Sequence, residues 1–410
     1  MTILYITQNG ITDHIGQAQV APYLLGLAAR GYRLHVLSAE KPGRAALAAD
    51  YAARFAAAGI AWTRVPWRQR PALLGPAWTQ LALHRAAARI VRAGGIAAVH
   101  CRSHPAAIIG QALKRRFGCL YLFDFRDFYA DGGLAKGHWS RRPLYRRLKR
   151  REAGLVRDAE ALVCLTARAR AILAEAYLAD RPAPEARIAV IPCCTDFALF
   201  DPARVPPAAV AAWRARLDIA DGRTVLLYLG SIGPDYLLAQ MMKLFVELRR
   251  RCPDALFLFV ANNGEAEVRA AAAAAAIPAE ALRFASGERA DMPALIALAT
   301  LSVVFIRADL SKAGCSPTKL AELFAMNVPV VANRGVGDLD AIIDPDRNGS
   351  ALVEAFTPPA LAAALDQVLA RRARGDVAIR AGSTAFDLPA GVETYARVYR
   401  DMLGLEAVPC

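Results

Sequence analysis

Short apolar runs alternate with longer helical patterns along the whole chain of 410 residues. Two predicted strands, Ile3–Thr7 and Arg33–Ser38, enclose a polar loop from Gln8 to Gln17 and an apolar helix from Val20 to Arg30. This strand–loop–helix–strand order is typical of the start of a doubly wound domain. Four later runs continue the pattern and predict strands at Ile96–His100, Leu120–Asp124, Ala161–Leu165 and Ile188–Ile191.

A second series of the same kind begins near residue 223. It opens with a predicted strand, Thr224–Leu229, which is followed by a glycine-containing loop, Gly230–Gly233, and a helix that runs to Arg251. Three prolines between Asp201 and Pro207 break regular structure, so the joint between the two series is expected there. Further strands of the second series are predicted at Leu256–Ala261, Leu301–Ile306 and Val328–Asn333.

The repeated pattern predicts an α/β fold with two Rossmann-like doubly wound domains that face each other across a cleft. We expect an N-terminal domain of residues 1–200 and a C-terminal domain of residues 201–385, followed by a last segment of residues 386–410. Ligands of open α/β sheets bind at the carboxyl ends of the strands, so the predicted ligand site lies in the cleft.

Charge is distributed unevenly between the two predicted domains. The chain has a net charge of +14, but residues 1–200 carry 29 Lys and Arg against 13 Asp and Glu, and the remainder carries 22 against 24. The first half is therefore expected to face an anionic partner, for which a phospholipid surface, a diphosphate-bearing acceptor and nucleic acid are the candidates. No nucleic-acid-binding motif is present, so nucleic acid is not expected.

Two basic segments, Trp62–Arg70 and Trp139–Arg151, interleave arginines with aromatic and apolar residues. That mixture suits the interface of an anionic membrane, and a solvated basic face is the alternative. The eight scattered cysteines show no metal-ligand spacing and are typical of reduced thiols. The first residues form a short strand-like run without a basic leader, so no signal peptide is expected, and no apolar run reaches the roughly 20 residues of a membrane helix. We therefore expect a soluble cytoplasmic protein that associates peripherally with the inner face of the membrane.

The segment from Cys315 to Asn327 predicts a phosphate-binding helix. Ser316 is a strong N-cap and Pro317 fits the first helical position. The free N–H groups and partial positive charge of such a helix start suit a phosphate, and Lys319 adds a full charge. Glu322 shares a face with Lys319 and can accept hydrogen bonds from ribose hydroxyls. The alternative is a capped surface helix with an exposed Lys–Glu pair.

This helix and four other segments resemble the family 4 (group 1) glycosyltransferases, which have the GT-B fold. The most specific match runs from Ser316 to Asp338. The others are Arg102-Ser103-His104, Phe123-Asp124-x-Arg126-Asp127, Val190–Asp196 and Tyr228–Tyr236. The resemblance implies a retaining enzyme that moves a sugar from a nucleotide-diphosphate sugar to a glycan or lipid-linked acceptor in surface polysaccharide assembly. It also implies that no metal and no other cofactor is needed.

The resemblance assigns roles to residues in both halves. It implies that the donor is bound by the start of the Ser316 helix, by the first loop of the chain and by the Gly230 loop, and that Glu322 binds the ribose. We add Arg307 as a second cation for the diphosphate. The donor-binding set is Gly16, Gly230, Ser231, Gly233, Ser316, Pro317, Thr318 and Glu322. The catalytic set is Arg126, Asp127, Arg307 and Lys319, and the acceptor-binding set is Arg102, His104 and Asp124.

Several alternatives remain open from the residues. The family's Glu-x7-Glu pattern places a glutamate where this chain has Gly314, which keeps a non-catalytic partner subunit possible beside a sugar-nucleotide epimerase of the same fold. Arg126 with its neighbouring aspartates is either a structural ion pair or a device that orients the acceptor. Asp338-x-Asp340 and Asp344-x-Asp346 are similar to a metal motif, but turns and helix caps account for them better. Residues 386–403 resemble the family's last helix, which returns to the first domain.

Overall fold

A computed structural model describes residues 1–72, 74–137, 142–375 and 377–405. The chain divides into two compact units. The first comprises Met1–Cys194, Ala313–Cys315 and Leu388–Cys410, and the second comprises Thr195–Lys312 and Ser316–Asp387. The division lies before the predicted joint at Asp201–Pro207, and the last segment groups with the first unit. Of the predicted segments, residues 139–141 and 406–410 lie outside the described residues.

The first unit is built around a fully parallel sheet, which has seven strands within the described ranges, in the order β3-β2-β1-β4-β5-β6-β7. Its strands are β1 Thr2–Thr7, β2 Arg33–Glu40, β3 Ala61–Pro66, β4 Ile96–Arg102, β5 Leu120–Asp124, β6 Ala161–Cys164 and β7 Ile188–Val190. Its helices are α1 His14–Gln19, α2 Ala21–Ala29, α3 Ala45–Ala57, α4 Leu74–Arg92, α5 Ser103–Phe117, α6 Tyr129–Ala135, α7 Arg142–Asp158 and α8 Ala167–Leu178.

The second unit holds a parallel sheet with the order β10-β9-β8-β11-β12-β13. Its strands are β8 Val225–Leu229, β9 Leu256–Val260, β10 Leu282–Ala285, β11 Leu301–Val304, β12 Val330–Asn333 and β13 Ala351–Val353. Its helices are α9 Pro207–Arg216, α10 Leu238–Arg251, α11 Glu265–Ala274, α12 Met292–Ile296, α13 Thr318–Ala325, α14 Leu339–Ile342, α15 Pro345–Asn348 and α16 Pro358–Arg374. The chain then returns to the first unit as α17, Leu388–Leu403.

Both sheets are covered on their two faces because their strands are apolar on both sides. In β1 the side chains of Ile3 and Tyr5 enter one core, and those of Leu4 and Ile6 enter the other. Such a pattern is expected of parallel strands flanked by helices. Helix α17 packs against α2 and contributes Tyr395 to the first of these cores.

Each sheet reverses its winding direction once. In the first unit the reversal lies between β1 and β4, and in the second it lies between β8 and β11. Open α/β sheets bind ligands at the carboxyl ends of the strands at such a point. The two predicted doubly wound units are thus confirmed, and each has one expected ligand position of its own.

The structure differs from the sequence predictions in several elements. Helix α1 begins at His14, inside the segment Gln8–Gln17 that was predicted to be a loop. Strands β10 and β13 were not predicted, because Arg283 interrupts the apolar run of β10 and the polar residues Ser350 and Glu354 leave only three apolar positions in β13. The residues of β3 were interpreted as part of a basic aromatic segment and not as a strand. The structure explains why they lack a strand's apolar pattern, because β3 lies at the edge of the sheet and most of its side chains are at least partly exposed.

None of the helices in the described parts of the chain is both long enough and apolar enough to cross a membrane.

Candidate functional site

The helix that carries the predicted phosphate site is α13. It begins at Thr318, and Pro317 is the N-cap residue, with the extended backbone angle ψ of 115°. The prediction of Ser316 as N-cap and Pro317 as first helical residue was therefore one position early. Proline has no side-chain acceptor and fits the last extended position before a helix. The backbone N–H groups of the first turn remain the donors that this helix start offers to an anion.

The chain turns away from α13 at Asn327, which is the last residue of the segment Cys315–Asn327 that the sequence predicts to form this helix. Asn327 has a φ of +57°, in the left-handed region that asparagine tolerates better than most residues. Its N–H donates to the carbonyl of Phe324 at 3.1 Å, and the N–H of Val328 donates to that of Leu323 at 2.9 Å. This pair of bonds is a Schellman motif, which fixes the direction in which the chain enters β12.

Lys319 and Glu322 are not an exposed surface pair, because their relative exposures are 8% and 7%. The Lys319 ammonium lies 4.4 Å from the ring centre of Tyr228 and 4.5 Å from that of Tyr236. Two aromatic faces stabilise a cation and hold it without neutralising it. The alternative of a capped surface helix with a solvated Lys–Glu pair is therefore wrong.

Gly230 brings the predicted donor loop against Lys319. It follows β8 with a φ of +121°, and a Cβ atom at this position would lie 3.0 Å from the Lys319 Nζ atom. A glycine allows both the unusual backbone angle and the close approach of the lysine. The loop is fixed on its other side, because the hydroxyl of Tyr228 donates to the carbonyl of Ser231 at 2.6 Å. The N–H of Tyr236 closes the turn on the carbonyl of Gly233 at 3.0 Å.

Glu322 has a partner that the sequence did not indicate. Nη1 of Arg289 donates to Oε1 of Glu322 at 3.0 Å, and Nη2 of the same arginine donates to Oγ1 of Thr195 at 3.2 Å. Burial raises the pKa of the Glu322 carboxyl, whereas the charges of Arg289 and Lys319 act in the opposite direction. Arg289 is 33 positions before Glu322, and no local pattern in the sequence connects them.

Arg307, the proposed second cation, belongs to a compact ion-pair network at the carboxyl end of β11. Its guanidinium lies 3.1 Å from Oδ1 of Asp235 and 3.2 Å from Oδ2 of Asp309. Lys312 reaches the other oxygen of Asp235 at 3.3 Å. The two cations and two carboxylates of this network balance, so Arg307 brings no excess positive charge to this end of β11.

In the first unit, Gly16 lies inside α1 and not in the predicted loop. A Cβ atom there would lie 2.1 Å from the carbonyl oxygen of Gly10 and 2.5 Å from that of Ile11. The segment before α1 is fixed by Glu40, whose carboxylate accepts from the N–H of Ile11 at 2.7 Å and the hydroxyl of Thr12 at 2.8 Å. Gly16 therefore permits a close backbone contact beside the carboxyl end of β1.

His104 follows the carboxyl end of β4 and is buried. Its Nε2 atom lies 2.9 Å from Oε2 of Glu152, and its Nδ1 atom lies 3.7 Å from Oδ1 of Asp127. Burial opposes protonation, but Asp127 and Glu152 outweigh it and raise the pKa of His104 to about 9. Ser103, directly before it, has a φ of +68°, which is strained for a non-glycine residue. Arg102, the preceding residue, is buried at the end of the strand.

Asp127 is the exposed member of this group, with 57% of its side chain accessible. On the interior side of this group, Glu152 also pairs with Lys149. The Lys149 ammonium lies 2.6 Å from Oε1 of Glu152 and 2.8 Å from Oδ2 of Asp131. Opposite charges thus alternate from the surface at Asp127 to the interior. This arrangement gives a carboxylate at the surface that is backed by a buried imidazolium and is suited to accept a hydrogen bond from an acceptor hydroxyl.

Asp124 and Arg126 are buried beneath helix α17. Nη1 of Arg126 donates to Oδ1 of Asp124 at 3.2 Å, and the hydroxyl of Tyr395 donates to Oδ2 at 3.1 Å. Burial alone would raise the pKa of Asp124, but Arg126 and His100 outweigh it and hold the pKa well below its usual range. Asp124 is only 1% exposed. Of the two alternatives for this pair, the contacts favour the structural ion pair.

The two Asp-x-Asp segments stabilise a turn and a helix start. Asp340 accepts from the N–H of Gly335 at 2.9 Å, and Asp344 caps α15 by accepting from the N–H groups of Asp346 and Arg347 at 2.8 and 3.1 Å. These contacts agree with the interpretation as turn and cap residues. Within the ranges that the structure describes, no group of three or more His, Cys, Asp or Glu side chains is placed to hold a metal ion.

The chain has two parallel doubly wound units. At the point where the sheet of the second unit reverses its winding direction, a helix carries a buried cation and a buried carboxylate. This combination is typical of two-domain nucleotide-binding proteins. The family profile described as "Glycosyl transferase 4-like domain" matches residues 16–194, and that described as "Glycosyl transferases group 1" matches residues 223–371. The chain therefore belongs to the group 1 glycosyltransferases. A comparison with curated protein sequences finds no match.

Solved structures support the same fold. A glycosyltransferase from Rickettsia africae is 15% identical, with a TM-score of 0.71 and 98% of each chain covered. HepE of Anabaena in complex with UDP-glucose is 16% identical, with a TM-score of 0.68 over 98% of this chain and 100% of that one. WaaG, a glycosyltransferase of lipopolysaccharide biosynthesis, is 16% identical, with a TM-score of 0.66 over 97% and 99%.

Proposed function

We propose that this glycosyltransferase moves a sugar from a UDP-sugar to a glycan or lipid-linked acceptor, with retention of anomeric configuration and without a metal. The observation that carries the proposal is the position of Lys319, in the first turn of α13 and against the Gly230 loop at the reversal point of the second sheet. The N–H groups of the helix start and the Lys319 ammonium bind the diphosphate, and Glu322 binds the ribose.

The choice of UDP rests on a relative. HepE, which shares the fold, forms complexes with UDP-glucose and with UDP. In this chain the Lys319 ammonium and the start of α13 stabilise the charge that develops on the leaving diphosphate. That diphosphate accepts the proton of the acceptor hydroxyl on the same face of the sugar, so the configuration of the sugar is retained. Asp127, in the first unit, orients the acceptor hydroxyl.

The donor site is tested by isothermal titration of UDP and by measuring UDP release from UDP-glucose, with and without EDTA. Lys319→Ala and Glu322→Ala should each weaken UDP binding at least tenfold, since each removes a charged contact. Lys243→Ala and Glu267→Ala, which change exposed residues of α10 and α11, should leave it unchanged. UDP binding that survives both site variants unaltered would overturn the proposal.

The course of the reaction needs a separate measurement. NMR of the first product formed from an α-linked donor should show an α-linked sugar, and EDTA should not slow its formation. A β-linked product would overturn retention, and loss of the reaction in EDTA would overturn metal independence. Formation of an epimerised UDP-sugar without any acceptor would show that the chain is an epimerase instead.

The same proposal includes an anionic membrane surface on the cytoplasmic side as a partner. WaaG acts in lipopolysaccharide biosynthesis, which is consistent with a lipid-linked acceptor and a role in surface glycans. On α4, Leu74, Trp78 and Leu81 follow one another at helical spacing and are 68%, 37% and 45% exposed. The Arg68 guanidinium lies 4.1 Å from the ring centre of Trp78. An apolar face beside arginines suits the headgroup region of a bilayer.

Helix α7 adds a basic face with exposed Arg146, Arg147 and Arg150. Co-sedimentation with vesicles of phosphatidylcholine, with and without phosphatidylglycerol, tests the surface. Each arginine near an anionic surface contributes about 1 kcal/mol, so Arg146→Glu with Arg147→Glu should reduce binding to the anionic vesicles more than tenfold. Leu81→Asp should reduce it as well, because it places a charge in the apolar face. Equal, negligible binding of the unaltered protein to both kinds of vesicle would overturn the membrane proposal.

A further inference from the structure

Arg289 connects Glu322 to the first residues of the second unit. Its two terminal nitrogens are divided between Oε1 of Glu322, at 3.0 Å, and Oγ1 of Thr195, at 3.2 Å. The guanidinium carbon lies 5.1 Å from the ring centre of Phe200. A planar guanidinium with one donor on each of two partners and an aromatic ring against it has little freedom to rotate.

The backbone that carries Arg289 is itself fixed. Arg289 begins a short 3-10 helix, Arg289–Asp291, which is closed by a capping box between Glu288 and Asp291. The N–H of Glu288 donates to Oδ2 of Asp291 at 2.9 Å. A Cβ atom on Gly287 would lie 3.0 Å from Cβ of Asp291, so the glycine lets the turn pack closely without displacing Asp291. Arg289 is therefore held from both its backbone and its side chain.

Glu322 needs such a partner because it is buried. The charged groups that face it are Arg289, from the segment before α12, and Lys319, from its own helix. Nη1 of Arg289 donates directly to the carboxylate at 3.0 Å, whereas the Lys319 ammonium lies between two aromatic rings and beside Gly230. A buried carboxylate without a hydrogen-bonded counter-ion becomes protonated or moves.

We propose that Arg289 is a positioning residue for the nucleotide: it binds the Glu322 carboxylate from one side and holds it for the two hydroxyls of the ribose. This inference rests on the proposed binding of UDP. A carboxylate has about four lone-pair positions, so a bond from Arg289 to Oε1 leaves positions for the ribose diol. Arg289 then contributes to affinity only when the ligand carries that diol.

The test compares UDP with 2′,3′-dideoxy-UDP, which keeps the base and the diphosphate but lacks both hydroxyls. By isothermal titration the unaltered protein should bind UDP at least tenfold more tightly than the dideoxy compound. Arg289→Met should lose most of this preference, with at least a fivefold loss for UDP and less than a twofold loss for dideoxy-UDP. Arg289→Lys should recover part of it, since it keeps the charge but loses the fork.

Arg269→Met is the matched control. Arg269 also pairs with a glutamate, Glu265 at 2.7 Å, and also lies against an aromatic ring, that of Phe284 at 4.6 Å. Both arginines are in the second unit, but only Arg289 contacts Glu322. The control variant should bind both compounds as the unaltered protein does. If Arg289→Met does not fold, the preference for UDP over dideoxy-UDP is measured in Arg289→Lys alone. It should be smaller than in the unaltered protein, because a lysine cannot bind Glu322 and Thr195 at the same time in the way that the guanidinium does.

The outcomes separate this inference from the proposed function. Absence of UDP binding by the unaltered protein would overturn the proposed function itself. A preference for UDP that is abolished in Glu322→Gln but intact in both Arg289 variants would overturn only the role of Arg289. Equal losses for UDP and dideoxy-UDP in Arg289→Met would also overturn it, since they would indicate a contact with the base or the diphosphate.

The pH dependence of the preference for UDP over dideoxy-UDP is a further measurement. A purely structural role of Arg289 would not change it. Loss of Arg289 removes the larger of the two positive charges that oppose the effect of burial on Glu322, so the carboxyl pKa rises further even though Lys319 remains. In Arg289→Met the residual preference for UDP should therefore decrease as the pH is lowered, because the protonated carboxyl is a poorer acceptor. The ratio to dideoxy-UDP cancels the titration of the diphosphate. A preference in the variant that does not change with pH would contradict the proposal.

Discussion

Oε2 of Glu152, on α7, lies 2.9 Å from Nε2 of His104, at the start of α5, and both side chains are almost completely buried. The pair ties two helices of the first unit together beside the carboxyl end of β4. Because Asp127 faces the other ring nitrogen, the imidazolium has a carboxylate on each side. His104 is thus protonated in the folded structure at neutral pH, and its protonation makes a measurable contribution to the free energy of unfolding.

Stability of the first unit should depend on pH through His104. Its pKa in the folded chain is about 9, against 6.5 for the ordinary group, so its contribution is complete below about pH 6.5. That contribution, of about 3 kcal/mol, should be lost as the pH rises through 9. Urea denaturation between pH 6 and pH 9.5 measures it.

Glu152→Gln should bring this loss to lower pH, because it removes one of the two carboxylates that raise the pKa of His104. Glu175→Gln, an exposed change on α8, should leave the pH profile of the unaltered protein intact. A Glu152→Gln protein whose profile coincides with that of the unaltered chain would show that His104 is not the titrating group.

Two glycines in helices of the first unit should respond to alanine in opposite ways. Gly16→Ala should destabilise the protein by about 3 kcal/mol or more, because the new Cβ would meet the carbonyl oxygen of Gly10 at 2.1 Å. Gly154→Ala, in α7, should stabilise by about 0.5–1 kcal/mol, since its nearest neighbour is 3.8 Å away and alanine favours the helix. Denaturant titration measures the free energy of unfolding of both variants. A Gly16→Ala protein as stable as Gly154→Ala would contradict the packing around α1.

How far the sequence predicts the fold depends on the length of each apolar run. Ten predicted strands correspond to observed ones, because runs such as Leu120–Asp124 are apolar throughout and bounded by polar residues. The end of the helical segment at Asn327 was also predicted, because asparagine tolerates the left-handed region that ends many helices, whereas the Schellman hydrogen bonds are seen only in the structure. Strands β10 and β13 gave no comparable signal, because Arg283 interrupts the apolar run of the first and the second has only three apolar residues.

The candidate site was less predictable, because it depends on contacts between distant residues. The sequence placed Lys319 and Glu322 on one helix face, and the structure shows that the two are buried with different partners. The aromatic rings around Lys319 come from Tyr228 and Tyr236, and the Arg289 contact crosses 33 positions. No periodicity along the chain encodes such pairs, since the sheet order brings them together.

Gly230→Ala should weaken UDP binding by displacing Lys319. The added Cβ would lie 3.0 Å from Nζ, and the φ of +121° is one that alanine rarely adopts. Gly222→Ala is the control, because its φ of +75° is also positive and costs alanine some backbone strain, but nothing lies within 4 Å of the new Cβ. Both variants should lose about 1 kcal/mol or more of stability, and only Gly230→Ala should lose UDP affinity. Equal affinities by isothermal titration would contradict the arrangement of the loop against α13.

Asp127 and Arg126 should separate into a functional residue and a structural one. Asp127→Asn changes an exposed carboxylate that shares with Glu152 the stabilisation of protonated His104, so glycosyl transfer should fall at least tenfold while the free energy of unfolding at neutral pH falls by only about 1–2 kcal/mol. Arg126→Met leaves the buried Asp124 without its ion-pair partner and should destabilise by about 3–5 kcal/mol.

Denaturant titration and transfer assays on the same preparations distinguish the two effects, and Arg126→Lys serves as the conservative control for Arg126. It should recover much of the stability because it restores a cation near Asp124. If Arg126→Met were as stable as the unaltered protein but inactive, Arg126 would contact the substrate and the structural ion pair would be the wrong alternative. If Asp127→Asn retained full activity, the surface carboxylate next to His104 would have no part in orienting the acceptor.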